Sequence, residues 1–174
     1  MLRLSTKGQY GVRAMFEIAK GYPSRPTTIK EISERQEVSV AYLEQILNTL
    51  RRAGIISSVK GPGGGYLLNR PPKEISIGSI LKELEGPVAI TSCLDPKEGC
   101  SRVDGCVTYL LWSSLGEKIE AFLNTITLDD LLKEEATLKQ TRTARSNKIR
   151  TGRKTTAVQT KNKGKGALDA AEVR

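Results

Sequence analysis

The run Lys60-Gly61-Pro62-Gly63-Gly64-Gly65 constrains the fold of this chain more than any other stretch. It joins two segments of strand character, Ile55-Ile56-Ser57-Ser58-Val59 and Tyr66-Leu67-Leu68-Asn69, and it comes directly after an amphipathic helical pattern. Glycines around a proline force a reversal, so the two segments are predicted to pair as a β-hairpin. Glycine also lets backbone approach another molecule closely, which suits contact with a sugar-phosphate chain. A nucleotide-cradling loop would need Gly-Lys-Ser/Thr opening a helix. This run exits into Tyr66-Leu67-Leu68, so that reading is discarded.

The helical pattern before the hairpin has two parts. Thr28-Ile29-Lys30-Glu31 is a capping box that opens a short helix to about Arg35, with Ile29 and Ile32 inward. After the turn Gln36-Glu37-Val38, Ser39 caps a longer helix reaching Ala53 and closed by Gly54. Leu43, Ile46, Leu47 and Leu50 recur at i, i+3, i+4 and i+7 and define its buried stripe. Ala41, Tyr42, Glu44, Gln45, Asn48 and Arg52 occupy the other face. Two short helices with a tight turn fit a helix-turn-helix, but an ordinary helical hairpin has the same pattern. The β-hairpin that follows decides for a winged helix, with the second helix as the reader.

Candidate DNA contacts follow from that placement. Thr28 and Ser39 stand at helix starts; Ala41, Tyr42, Glu44, Gln45, Asn48 and Arg52 line the reader; Lys60, Gly63 and Gly64 form the wing, with Arg70 at its exit. Tyr42 and Gln45 are the leading candidates for base edges or nearby phosphates. Glutamine can read adenine, and Glu44 can accept from cytosine N4 or, unpaired near phosphate, reject wrong sites.

A further helix is predicted before this module, from about Lys7 to Ala19 with Thr6 as cap and Val12, Met15, Phe16 and Ala19 as its apolar face. The segment Gly21-Tyr22-Pro23-Ser24-Arg25-Pro26 ends it. Behind the hairpin, Pro71-Pro72 stops the wing, and Ser76 caps a helix from Ile77 to Glu85 with Ile77, Ile80, Leu81 and Leu84 inward. A long helix from about Val107 to Leu123 places Val107, Leu111, Leu115, Ile119 and Phe122 along one side, widened by Leu110, Trp112 and Leu123. That is more apolar surface than one small wing domain needs, so this helix is expected to pack on a second subunit. Thr127 caps a last helix to about Leu138, with Asp129 and Asp130 in its first turn. From Lys139 onward apolar residues nearly vanish, and a disordered basic tail is expected. The fold class is therefore mainly α: a winged helix-turn-helix DNA-binding domain (1–72) with a small two-stranded wing, a cysteine loop and long dimerisation helix (73–138), and the tail (139–174).

Charge supports this division. The net charge is +9, and the tail with 11 basic and 2 acidic residues carries all of it. Within the body, residues 1–72 hold 11 basic and 5 acidic side chains and residues 73–138 hold 6 and 12. A basic front half suits a phosphate-facing surface. No apolar run approaches the length of a membrane span, and Met1-Leu2-Arg3-Leu4-Ser5 is no signal peptide. An odd number of cysteines without a secretory signal points to a reducing cytoplasm.

All three cysteines fall within Cys93-Leu94-Asp95-Pro96-Lys97-Glu98-Gly99-Cys100-Ser101-Arg102-Val103-Asp104-Gly105-Cys106. A packing thiol sits among apolar neighbours, whereas this is a turn-forming loop. Three thiols there can converge on a soft metal centre, and the spacing is too wide for a C-x-x-C zinc knuckle. Solvated thiols with a redox role are the plainer alternative. The chain has no histidine, so a nitrogen fourth ligand of the usual kind is absent.

Taken in order, Leu4-Ser5-Thr6-Lys7-Gly8-Gln9-Tyr10, Tyr42-Leu43-Glu44-Gln45, Gly61-Pro62-Gly63-Gly64-Gly65-Tyr66, the cysteine loop and Ile126-Thr127-Leu128 resemble the IscR-like branch of the Rrf2 winged-helix transcription regulators. The resemblance runs from residue 1 to about Leu132 and leaves out the tail. It implies a homodimer with a long dimerisation helix, and repression that includes genes for iron–sulfur cluster assembly; two reader helices set about one helical turn apart then call for a near-palindromic duplex. It also implies an iron–sulfur cluster, commonly 2Fe-2S, on Cys93, Cys100 and Cys106. An iron–sulfur redox enzyme or electron carrier is a further reading, but the chain offers no general base, nucleophile pair or nucleotide loop and the hairpin would have no purpose there, so no enzyme activity, small-molecule substrate or membrane partner is expected. The family often places a histidine ligand three residues past the last cysteine, where this chain has Tyr109. The fourth ligand is then Tyr109 itself, a nearby carboxylate, a partner-subunit group, or a small molecule or water. Relatives with the same front half but without the cysteines answer to a partner enzyme, which is the competing expectation.

Overall fold

A computed structural model describes residues 4–95, 98, 100, 101 and 103–142. Helix α1 spans Thr6–Ala19. Its cap is Ser5 and not Thr6: the Ser5 hydroxyl accepts from the Gly8 amide at 3.1 Å, and Thr6 is already helical. The buried face is also rotated from the predicted one. Gly8, Gly11, Ala14, Met15, Ile18 and Ala19 are buried, while Val12 and Phe16 lie half-buried on the flank. The two glycines explain the rotation, because a Cβ on Gly8 would strike Glu85 and one on Gly11 would strike Leu84. The helix turns its small side toward α4 (Ile77–Glu85), which packs directly upon it.

Helix α2 (Ile29–Gln36) and helix α3 (Val40–Arg52) form the predicted pair. The Thr28 capping box is complete: the Thr28 hydroxyl accepts from the Glu31 amide at 3.1 Å, and Glu31 Oε2 accepts from the Thr28 amide at 2.9 Å. Glu37 ends α2 in the left-handed region at φ 55°, which makes the sharp turn into α3. Leu43, Ile46, Leu47 and Leu50 are all fully buried, as the periodicity requires. They meet Met15, Ile18, Ile32 and Ile80 in one core cluster.

Strands β1 (Ile56–Val59) and β2 (Gly65–Leu68) pair antiparallel, with Ile56 opposite Leu68 and Val59 opposite Gly65. The Ile56–Leu68 end is buried, and the far end is open to solvent. The reversal is a type II turn: the Gly64 amide donates to the Gly61 carbonyl at 2.9 Å, Pro62 sits at i+1, and Gly63 at i+2 takes φ 76°. The wing is anchored sideways. Thr27 and Tyr66 exchange backbone hydrogen bonds of 3.0 and 2.9 Å, and a Cβ on Gly65 would collide with the Thr27 carbonyl.

Ser76 caps α4, Gly86 ends it, and Ile77, Ile80, Leu81 and Leu84 face inward as predicted. Ile75, Ile80 and Leu128 share the same core as α1 and α3, so the interior runs continuously past residue 72. Helix α5 spans Val107–Thr125. Its C-terminus is clasped to α4 by Ile77 N–H on the Ile126 carbonyl (2.8 Å), Leu128 N–H on the Ile75 carbonyl (3.0 Å) and the Ser76 hydroxyl on Asn124 Oδ1 (3.2 Å). Thr127 caps helix α6 over 128–142, accepting from the Asp130 amide at 3.2 Å and donating to Asp130 Oδ2 at 2.7 Å. Residues 139–142 are therefore helical, past the expected end near Leu138; the rest of the basic tail lies outside the described residues. Among the described residues no helix is long and apolar enough to cross a membrane.

Candidate nucleic-acid interface and cysteine loop

Helix α3 shows one side to the core and the other to solvent. Ser39, Ala41, Glu44, Gln45, Asn48 and Arg52 are exposed on the outer side. Asn48 is held by Arg51, whose guanidinium donates to Asn48 Oδ1 at 3.3 Å. Arg51 was missed in the sequence; its signal was a basic residue three positions after Asn48, in the last turn beside Arg52.

Tyr42 is half-buried and occupied within the fold. Its ring stands edge-to-face on Tyr10 at 6.1 Å and 88°, and its hydroxyl lies 3.4 Å from the Thr6 hydroxyl. Its main visible work is to fix the reader helix to α1. Thr28 is similarly committed, with hydroxyl and amide both engaged by Glu31. The Ser39 hydroxyl accepts from the Tyr42 amide at 3.4 Å as the α3 cap. Both hydroxyls are thus engaged in capping their helices. On the wing, Lys60 and Gly63 are exposed and Gly64 is half-buried.

Several basic residues of the front half are consumed by internal ion pairs. Lys20 and Arg35 reach the buried Glu17 carboxylate at 2.9 and 3.0 Å, and Arg25 reaches Glu31 at 2.9 Å. Arg52, Lys60 and Arg70 make no ion pair among the described residues, and all three are exposed. Exposed, unpaired cations are the kind of group able to exchange counterions for phosphates.

The cysteine loop connects α4 to α5. Cys93 lies in the short 3-10 turn Ser92–Leu94, Cys100 is exposed, and Cys106 precedes the first residue of α5. Ser92–Leu94 packs against α5 where Gly116 is buried; a Cβ there would stand 3.4 Å from the Val88 carbonyl and 3.8 Å from Leu94 Cδ1. The Thr91 hydroxyl lies 3.0 Å from Cys93 Sγ, and the Thr108 hydroxyl 3.1 Å from Cys106 Sγ. The Thr108 hydroxyl, then the Tyr109 and Thr108 backbone amides, hold the Cys106 thiol below its ordinary pKa against the effect of burial. Three free thiols, one biased toward thiolate, fit the donor chemistry of an iron–sulfur centre. Among the described residues they are not gathered into a single group of three ligands. Tyr109 is half-buried one turn into α5.

The outward face of α5 remains apolar. Val107 is 81% exposed, Leu110 67%, Leu111 57% and Phe122 64%, more than solitary surface residues would explain.

Known proteins agree with this geometry. Residues 4–134 match the Rrf2 family, described as "Iron-dependent Transcriptional regulator". The HTH-type transcriptional regulator IscR of Serratia proteamaculans is 43% identical over 137 residues, covering 79% of this chain and 83% of that protein. The IscR of Erwinia tasmaniensis is 41% identical over 149 residues, with 86% and 90% covered. Among solved structures, T. potens IscR superposes with TM-score 0.64 at 40% identity over 77% of this chain and 88% of that one. CymR, the global cysteine regulator of B. subtilis, superposes with TM-score 0.64 at 36% identity, covering 77% and 98%. With its two-stranded wing, its exposed reader helix and a match over most of its length, this chain belongs to the Rrf2 family of winged-helix DNA-binding transcriptional regulators, which are not enzymes, and is IscR-like within it.

Proposed function

We propose that this chain acts in the cytoplasm as a homodimeric repressor that holds an iron–sulfur cluster of the 2Fe-2S type and controls genes of cluster assembly. The observation that carries this reading is the position of three free thiols between α4, which packs on α1 and α3, and the start of α5. Cys93, Cys100 and Cys106 would hold the cluster, with Tyr109, a carboxylate, a partner-subunit group or a small molecule in the fourth place. When bound, the cluster supplies a crosslink of the loop that depends on iron and oxidants. Holding or releasing the three thiols changes the loop that joins the α4 end of the DNA-binding half to α5. In this reading residues 1–72 read DNA, 73–138 sense and dimerise through the exposed side of α5, and the basic tail lies outside both roles.

The two α3 helices of a dimer would enter major grooves about one helical turn, roughly 34–36 Å, apart, which requires a near-palindromic operator. Gln45 and Asn48 then face base edges, Arg52 and Lys60 face phosphates, and Glu44 rejects sites that cannot satisfy its carboxylate. Footprinting of the anaerobically purified protein and its iron-free form on a genomic fragment library tests this. Paired, symmetric protection whose strength differs between the two forms is expected. Single-site protection, equal for both, would overturn the sensor claim.

The likeness to CymR favours one alternative: a cluster-free regulator answering to a partner enzyme or thiol redox state, as of cysteine metabolism. A protein that footprints symmetrically yet never takes up iron would be that regulator.

A further inference from the structure

The first and last thiols of the loop share an arrangement. In Thr91-Ser92-Cys93 a threonine stands two residues before the sulfur, and in Cys106-Val107-Thr108 two residues after it. In both cases the hydroxyl has turned onto the sulfur, with Oγ1 3.0 Å from Cys93 Sγ and 3.1 Å from Cys106 Sγ. Local structure holds each pair. The Thr91 carbonyl accepts from the Leu94 amide at 3.0 Å, which closes the turn around Cys93. The Cys106 carbonyl accepts from the Tyr109 amide at 3.0 Å, which sets Thr108 in the first turn of α5. The Thr91–Cys93 contact is part-buried, whereas the Thr108–Cys106 contact lies at the surface.

While the sulfur carries its proton, either atom can donate. A thiolate on iron has no proton, so only the hydroxyl can. A hydrogen bond donated to a cluster sulfur draws charge from it and favours the more negative, reduced cluster, which raises the reduction potential. We infer that Thr91 and Thr108 are positioning residues for the cluster, each donating its hydroxyl to a ligand sulfur and making the centre easier to reduce. This rests on the cluster reading above. The step concerned would be the uptake of one electron by a bound cluster from an external one-electron reductant such as dithionite, and both hydroxyls would keep their protons throughout.

The test compares Thr91→Val and Thr108→Val with Thr91→Ser and Thr108→Ser in the full chain, loaded without oxygen. Valine keeps the shape and removes the donor; serine keeps the donor. Dithionite titration followed by electron paramagnetic resonance should show a more negative potential in each valine variant, a larger shift in the double variant, and wild-type behaviour with serine. In resonance Raman spectra, wild-type iron–sulfur stretching bands should move on transfer to deuterium oxide, with part of that movement lost in the valine variants. Valine variants with the wild-type potential and the full deuterium shift would overturn the inference while leaving the cluster intact. If valine prevents loading, normal loading with serine supports the hydroxyl role, and failure of both counts against it. A wild-type chain that takes up no iron and sulfide would sink this inference and the cluster reading together.

Discussion

Replacing Glu17 by alanine should remove about 2–3 kcal/mol of stability, and the loss should depend on pH. Glu17 is 3% exposed, and its carboxylate accepts from Lys20 Nζ (2.9 Å), Arg35 Nη1 (3.0 Å) and Gln36 Nε2 (2.9 Å). Hydrogen bonds to a charged group contribute roughly 1.5–3 kcal/mol each, and desolvating the carboxylate offsets a large part of their sum. Breaking a fully buried pair costs about 3–5 kcal/mol because the remaining charge is stranded. Here Lys20 and Arg35 are 28% and 44% exposed and can rehydrate, which places the expected loss below that range. Residues 1–133 form one compact unit, and for a body of that size about 4 °C per kcal/mol gives a fall in Tm of roughly 8–12 °C. Burial pushes the Glu17 carboxyl up, but the hydrogen bonds and charges of Lys20 and Arg35 outweigh it and hold it below its ordinary 4.5. The fold thus prefers the charged form. Its contribution is fully present above the unfolded value and is lost as pH falls through the folded one. Urea unfolding of wild type and Glu17→Ala at neutral pH and near pH 3 reads both effects. A neutral-pH difference under about 0.5 kcal/mol, or one that does not shrink as pH falls, would refute the reasoning.

Arg52→Ala and Lys60→Ala should each weaken every duplex similarly and flatten the salt dependence by about one unit of slope, whereas Gln45→Ala should cost about 1–3 kcal/mol at one base position only. Fluorescence anisotropy across a salt series separates the two classes. Gly65→Val should break the Thr27–Tyr66 bridge, since even a Cβ meets the Thr27 carbonyl; accelerated amide exchange at Tyr66 with unchanged protection of Leu47 would report it. Leu111→Lys with Phe122→Lys should yield a folded monomer by sedimentation, because both side chains are more than half exposed on the protomer and contribute no core.

The reader helix and wing were legible because each had an independent local cause. Leu43, Ile46, Leu47 and Leu50 could be buried only as a helix, and Pro62-Gly63 specified one kind of reversal. Ser39, Ser76 and Thr127 marked their helix starts by side-chain chemistry alone. Helix α1 was legible in extent, but its inner face was set by tertiary packing. Periodicity favoured large residues such as Phe16, but α4 demanded close approach, so Gly8 and Gly11 became the inner face. Spacing places Tyr42 on the outer side of the reader helix but cannot show its contacts with Tyr10 and Thr6, more than thirty positions away. Cysteine spacing named the thiols but not their hydroxyl partners, since a threonine two residues away signals nothing until the backbone turn is known.

Iron and acid-labile sulfide per subunit, measured with the visible spectrum on protein purified without oxygen, test the account most directly. Iron and sulfide in near-equal amounts, lost together in Cys93→Ala, are predicted. Colourless protein that stays metal-free after attempted reconstitution would contradict the sensor and leave a winged-helix regulator under other control.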